Sequence, residues 1–331
     1  KKDLSNVATL PVDVVAQLKG TDGRKNLMIN GGFDVWQRGT SFTSTSVNEY
    51  SADRFRTEGY GLSTTISRQS FTAGQTDVLN FPTYFCRVAT STVSAGQFWG
   101  LQQRIETPQV MRYGQTVTVS FWVEATTGTL ASGAFTYGLD DSKSSSPALT
   151  TTWQKITNTF TCGLSGNYSS FYLVYLGAGS AAISVDIAQV QLELGSEATD
   201  FEHRSYSEEL ALCQRYFEKS FNDDVAPANG SSSTTTASDD GMAAGLGSNN
   251  SGAGGSVDYK VTKRSNPTIT KYGNNAGGWY YTPPTNQSSG SWSTSSGYID
   301  HSGVNGFNFK QNISGDTLYI MYGHWTADAE L

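Results

Sequence analysis

The side chains that could do chemistry are few and scattered. Three histidines, His203, His301 and His324, occur in 331 residues, and none lies in a His-Glu-x-x-His, a Gly-x-Ser-x-Gly or a Cys/His cluster. His203 follows Glu202 just before a helix start and reads as a packing residue. Asp223-Asp224 and Asp239-Asp240 are adjacent carboxylates. Glycosidase acids must flank one bond at about 5–10 Å in space, whereas neighbours on a strand face opposite ways. Cys86, Cys162 and Cys213 are far apart, lack metal-ligand spacing and read as buried free thiols. No catalytic residue and no metal set is assigned.

Aromatic residues carry a stronger argument, for binding rather than catalysis. A pyranose ring presents apolar C–H faces that stack on Trp or Tyr, while neighbouring amides and acids bond its hydroxyls. In Val117–Ala125 the apolar side is Val117, Val119, Phe121 and Val123, which leaves Trp122 to project with Thr118, Ser120 and Glu124. Gln102 and Arg104 are expected to face the same way on another strand. The competing reading packs Trp122 beneath a loop, the N-terminal helix or a neighbouring subunit. A second cluster is Trp279-Tyr280-Tyr281, bounded by Gly277-Gly278 and Pro283-Pro284, with Trp292 and Tyr298 among Ser and Gly. Small-residue loops cannot give all these rings an intrachain core, so they stack on a ligand or fill the interior of an oligomer. Trp36 and Trp325 are assigned to packing.

Composition narrows the classes. Charged residues make up 15% of the chain, against about 25% in typical soluble domains. The surface must therefore be built from Ser, Thr, Asn, Gln and Gly, which suits uncharged polyhydroxylated ligands. A net charge of −7 and a pI near 5.0 argue against nucleic acid, which needs a basic patch to displace counterions. There is no apolar run of membrane-spanning length and no signal-like start, so membrane insertion is not expected.

Four segments position these residues. In residues 1–24, Pro11 suits a first helical position and Val12, Val15 and Leu18 share a face, which predicts a short helical connector. Residues 25–202 read as a run of strands with Gly-rich turns, the signature of a β-sandwich or jelly roll. Its closing strand carries Val185, Ile187, Val190 and Leu192, and the alternation slips at Ala188–Gln189, as a bulge would make it. Ser205-x-x-Glu208 has the capping-box spacing and predicts a linker helix within 203–221, running to about Lys219. Its second apolar row, Leu212 and Tyr216, is expected to face a neighbouring chain. Residues 222–331 are Ser/Gly-rich with short strands, a β-rich tip whose apolar burial is expected to come partly from interchain contacts. The fold class expected is mainly β, a jelly-roll β-sandwich with a C-terminal tip domain.

The stretch NLMINGGFDVWQRGT at Asn26–Thr40 resembles a module of bacteriophage tail fibres and tail receptor-binding proteins. The likeness continues through Tyr50–Arg56, Leu101–Glu106, VTVSFWVEA at Val117–Ala125, Thr151–Lys155, VDIAQVQLEL at Val185–Leu194 and ELALCQRYFEK at Glu209–Lys219. The opening and closing pieces also look like carbohydrate-binding-module jelly rolls, in which first and last strands lie together. The C-terminal Asn266–Thr270 and Gly323–Leu331 are similar to phage fibre tips. The resemblance implies a homotrimeric tip on the virion tail that binds host surface glycan without chemistry or cofactor, joined to an upstream fibre or baseplate protein through its N-terminus. Tail depolymerases or esterases, and purely structural connectors, are the alternatives it leaves open. In the resembling modules, acids at the positions of Asp34 and Asp186 can hold a structural calcium; solvated or backbone-bonded carboxylates are the other reading.

Overall fold

The computed structural model describes residues 24–331 apart from 45–47, 61, 107–112, 164–167, 224, 230–242, 248–252, 274–278, 283–292, 296–297 and 312–318. The connector expected in residues 1–24 therefore lies, but for its last residue, outside the described residues, as does Trp292. The chain is mainly β and divides into two compact units. Of the described residues, one comprises those in 24–35, those in 40–206 and Leu331; the other comprises 36–39 and those in 207–330. Among the described residues no helix is long and apolar enough to cross a membrane.

The first unit is a sandwich of two antiparallel sheets. One sheet orders β1 (Ser41–Ser44), β3 (Thr64–Ser70), β4 (Tyr84–Thr90), β11 (Ser184–Leu194), β6 (Thr116–Ala125) and β9 (Gln154–Thr161). The other orders β2 (Phe55–Tyr60), β5 (Phe98–Glu106), β10 (Tyr168–Leu176), β7 (Thr136–Leu139) and β8 (Ser142–Ser145). Period-two alternation decides which side chains meet between them. Val117, Val119, Phe121 and Val123 of β6 and Trp99, Leu101 and Ile105 of β5 are buried, as their spacing predicts. Phe121 of β6 meets Tyr137 of β7 edge-on at 5.3 Å between ring centroids, which ties the two layers together.

β11 closes the sandwich from the middle of its sheet, paired to β4 on one side and β6 on the other. The bulge stands where the alternation slips: the register with β6 shifts between Ala188 and Gln191, and Gln189 has φ 49°. The opening segment does lie beside β11, although Leu27–Ile29 bends rather than forming the expected strand. Asn26 is the physical reason. Its side-chain amide donates to Val190 O at 3.0 Å, and its Oδ1 accepts from Met28 N and Leu192 N, occupying positions a regular ladder would use. Between these two segments, the amides of Leu27 (to Leu192 O, 2.7 Å) and Val190 (to Gly31 O, 2.9 Å) bridge backbone to backbone. At Gly31 a Cβ would fall 2.1 Å from Val190 O. Gly31→Ala is therefore expected to destabilise the unit by about 3 kcal/mol, read as a lower urea midpoint at unchanged slope.

The helix α1 spans Tyr206–Gln214, starting directly after Ser205 as the capping box predicts. It stops short of Lys219. Tyr216 N bonds Cys213 O at 2.9 Å, and Phe217–Lys219 leaves as β12 to pair with the last strand, β20 (Tyr319–Asp328). The second apolar row is therefore not continuous on the helix: Leu212 lies on it and is half-buried, whereas Tyr216 lies beyond its end and is 4% exposed.

The second unit is built on β20. It pairs with β12, with β13 (Ala243–Gly247), with β15 (Thr268–Tyr272) and with β16 (Trp279–Thr282). β14 (Ala253–Asp258), β17 (Ser293–Ser295), β18 (Tyr298–Ser302) and β19 (Gly306–Gln311) extend the sheet. The unit has a core of its own, formed by Tyr259, Phe307, Phe309, Trp325 and Ala327. Trp325 packs where expected, 5.7 Å from Tyr259 and 5.5 Å from Phe307 between ring centroids.

Candidate binding face

Burial of one side of β2, β5 and β10 fixes what the other side presents. With Trp99, Leu101, Gln103 and Ile105 inward, β5 turns Phe98, Gly100, Gln102 and Arg104 outward. β10 buries Phe171, Leu173 and Leu176 and turns out Tyr168 and Tyr172; a register irregularity between Tyr172 and Val174 puts Tyr175 on the same side. β2 turns out Arg56, Glu58 and Tyr60. Register then sets Tyr60 opposite Phe98, Glu58 and Tyr175 opposite Gly100, and Arg56 and Tyr172 opposite Gln102.

These side chains make a row of rings with polar groups at its margin. Tyr60 meets Phe98 at 6.0 Å, Phe98 stacks near Tyr175 at 6.0 Å, and Tyr175 meets Tyr172 edge-on at 5.5 Å. Gly100 makes room for the row, since a Cβ there would come 2.9 Å from the Tyr172 ring. From β8, Lys143 Nζ sits 4.7 and 4.8 Å from the centroids of Tyr172 and Tyr175, a cation–π arrangement, and donates to Asp140 O at 2.8 Å. Glu58 Oε2 accepts from Gln102 Nε2 at 2.9 Å and from the Tyr172 hydroxyl. Burial, then the bond to Glu58, push the Tyr172 hydroxyl well above the ordinary tyrosine range, so it stays protonated. Gln102 is wholly buried on this face, and its Oε1 has no hydrogen-bond partner among the described residues.

The row has one closed end and one open end. At the closed end Tyr50 Oη, Arg56 Nη1 and Arg104 Nη1 donate to one oxygen of Leu331 at 2.9, 3.1 and 3.0 Å. Arg104 also lies 4.4 Å over the Tyr168 ring. At the open end Tyr60 is 53% exposed.

The residues expected to form the site do not come together. Arg104 belongs to this face, but Trp122 and Glu124 lie on the outer side of the other sheet, because β5 and β6 sit in different layers and turn outward in opposite directions. Trp122, half-buried, pairs in register with Ala188 and Lys155. Tyr298 is exposed on β18 of the second unit. Trp279, Tyr280 and Tyr281 form β16 beside β20, and their side chains lie outside the described residues. Tyr60, Phe98, Tyr172, Tyr175, Glu58 and Lys143 escaped sequence reasoning. The signal was present for β5 and β10, where the inward alternation already defines an outward set.

Around Trp122 the chemistry is ionic. Asp186, opposite Glu124 in register, gives both oxygens to Arg87, which donates from Nε and Nη2 at 2.7 Å each. That pairing directs Asp186 at a cation of the chain itself, and Asp34 lies elsewhere, at the Gly32 turn. Among the described residues no group of three His, Cys, Asp or Glu is placed to hold a metal. All three cysteines are buried and free, as expected. Burial, then the charges of Asp186 and Asp77, raise Glu124 from an ordinary 4.5 to about 7. A carboxyl raised in the folded state costs nothing below its unfolded value; stability is lost as pH climbs from 4.5 through about 7. Glu124→Gln is therefore expected to stabilise the chain above pH 7 by about 1 kcal/mol, discounted for solvent screening. Melting temperatures taken at pH 8 and at pH 4.5 check it, since the gain should vanish at the lower pH.

No known family model matches the chain, and no curated protein does. Among solved structures, the enzymatically active domain of tailspike protein 4 from bacteriophage CBA120 is similar at 16% identity over 51% of this chain, with a TM-score of 0.30; the chain spans 21% of that protein's length. A family 11 carbohydrate-binding module from Clostridium thermocellum is similar at 9% identity, covering 48% of this chain and 99% of the module, with a TM-score of 0.29. A cyclase from Fischerella sp. covers 53% of this chain and 98% of its own, at 12% identity and a TM-score of 0.35. These likenesses are too weak to bear on function.

Proposed function

We propose that the first unit is a non-catalytic glycan-binding module, and that the chain adsorbs a phage virion to host surface polysaccharide as a tail-fibre tip. The observation that carries the binding half is the row Tyr60, Phe98, Tyr175 and Tyr172 on the outer face of one sheet. Neighbouring rings follow one another at 5.5–6.0 Å, a spacing on the scale of a sugar ring. Glu58 and Lys143, both half-buried, flank the row with an acceptor and a donor for hydroxyls. The phage half is supported by the resemblance of residues 25–219 to tail-fibre modules. Homotrimeric assembly belongs to the same reading: three linked sites can raise avidity by about 10²–10⁴ where geometry permits simultaneous engagement.

Binding is favoured over hydrolysis because Glu58 is committed to Gln102 and Tyr172, whereas cleavage requires a second acid facing the first across the scissile bond. Incubating the full chain with purified bacterial surface polysaccharides tests the choice. Retention of the chain without release of reducing ends or acetate is the expected result. Release of either makes the chain a depolymerase or esterase, and failure to adsorb to any polysaccharide or cell leaves the structural connector.

A further inference from the structure

The first unit carries a second recess that shares no residue with the aromatic row. It is a cavity of about 330 Å³, within the size range of small-ligand sites. Three separate stretches wall it: the turn at Gly32–Asp34, the loop between β3 and β4, and the loop that follows β11. Its lining mixes rings with hydrogen-bonding groups, namely Asp34, Phe81, Tyr84, Phe201, His203 and Tyr206.

Several features of the backbone serve this recess. The β11 bulge aims Gln189 at the β3–β4 loop, where its Nε2 donates to Leu79 O at 2.8 Å. Phe33, Phe81 and Gln189 all hold left-handed φ, at 58°, 48° and 49°. For residues with side chains this conformation costs about 1–3 kcal/mol each, a cost that structures concentrate at ligand sites. The left-handed turn at Asn80–Phe81 leaves Phe81 70% exposed beside the opening. An aromatic side chain held out of the core at a cavity mouth is placed to stack on something that enters.

The lining also limits what can enter. Arg204 spends its guanidinium on Asn26 O, Met28 O and Glu202, in the cavity wall. His203, edge-on to Phe201 at 5.0 Å, is held below its ordinary range by burial and presents a neutral imidazole with one donor and one acceptor. Asp34 adds acceptors, with its Oδ2 in the space that a side chain on Gly32 would fill. Aromatic faces combined with neutral and acceptor groups fit an uncharged, polyhydroxylated ring. The volume suits a single sugar entering end-on, where the open row suits a run of sugars lying flat.

We propose that this cavity is a second glycan site of the same module, selective for one terminal uncharged sugar ring. It rests on the glycan-binding reading above and would make each chain bivalent. Saturation-transfer NMR on the full chain tests it with methyl glycosides of glucose, galactose, mannose, rhamnose and N-acetylglucosamine. At least one is expected to receive transfer that survives in Tyr172→Ala and falls at least fivefold in Phe81→Ala and in His203→Ala. Phe81 and His203 are both surface residues, so the variants should melt as the parent does. The inference is overturned if no monosaccharide receives transfer, if the signal is lost in Tyr172→Ala, or if it is unchanged in both cavity variants. Cello-, xylo- and manno-hexaoses run in parallel separate the two failures. Hexaose binding that depends on Tyr172 without any monosaccharide signal removes the cavity site alone, whereas absence of hexaose binding counts against the aromatic row.

Discussion

Tyr172→Ala should weaken oligosaccharide binding to the full chain by roughly thirtyfold, about 2 kcal/mol, the cost of truncating an interface hot spot. The size follows from what meets at this ring. Tyr172 supplies one stacking surface, sets the edge-on geometry of Tyr175 at 5.5 Å, carries Lys143 at 4.7 Å, and holds Glu58 through its hydroxyl. Tyr172→Phe keeps the ring and loses only the bond to Glu58, so about 1 kcal/mol, a fewfold loss, is expected. Gly100→Ala is the more discriminating variant. It deletes no ligand contact but places a Cβ 2.9 Å from the ring, and should weaken binding by displacing Tyr172. Calorimetric titration of the three variants, each checked for an unchanged melting temperature, gives the ranking. Equal affinity in all three and in the parent would take Tyr172 out of the site.

The second large effect concerns stability of the C-terminal unit. Lys263 is buried, and its ammonium donates to Glu218 Oε2 at 2.6 Å, Val261 O at 2.6 Å and Gln214 O at 2.7 Å, one acceptor for each proton. The Tyr259 ring lies 4.6 Å from the same nitrogen, and Glu218 Oε1 also accepts from Lys260 N at 3.0 Å. Breaking one side strands the other charge in the interior. Lys263→Ala or Glu218→Ala should each cost about 3–5 kcal/mol, while the double change to Met and Leu should recover most of it, because a well-packed apolar pair avoids desolvating either ion. Denaturant unfolding in a double-mutant cycle measures this. A single-variant loss below about 1 kcal/mol would mean that water reaches the pair.

Much of the first unit is legible in local patterns. Alternation in Val117–Ala125 and Phe98–Ile105 fixes the inward faces, the slip at Ala188–Gln189 marks the bulge, and Ser205-x-x-Glu208 marks the start of α1. Each depends on residues close in sequence. The binding face does not, because it needs register among β2, β5, β10 and β8: Tyr172 meets Glu58 across 114 positions. The same limit explains why Trp122 and Arg104 looked like partners. Alternation shows which residues share a side of one strand, but assigning a strand to a layer requires the sheet order. Nothing local marks Lys263 as buried, because its counter-ion lies 45 positions away on β12. The end of α1 was set by Phe217–Lys219 pairing with Thr326–Asp328, a contact no helix propensity can weigh.

The aromatic row is the central claim, and a crystal structure of the full chain with a bound oligosaccharide tests it most directly. Sugar rings should lie across Tyr60, Phe98, Tyr175 and Tyr172, with hydroxyls bonded to Glu58 or Lys143 Nζ. Density for the oligosaccharide on the second unit, around Tyr298 or the Trp279–Thr282 strand, with this face bare, would contradict it.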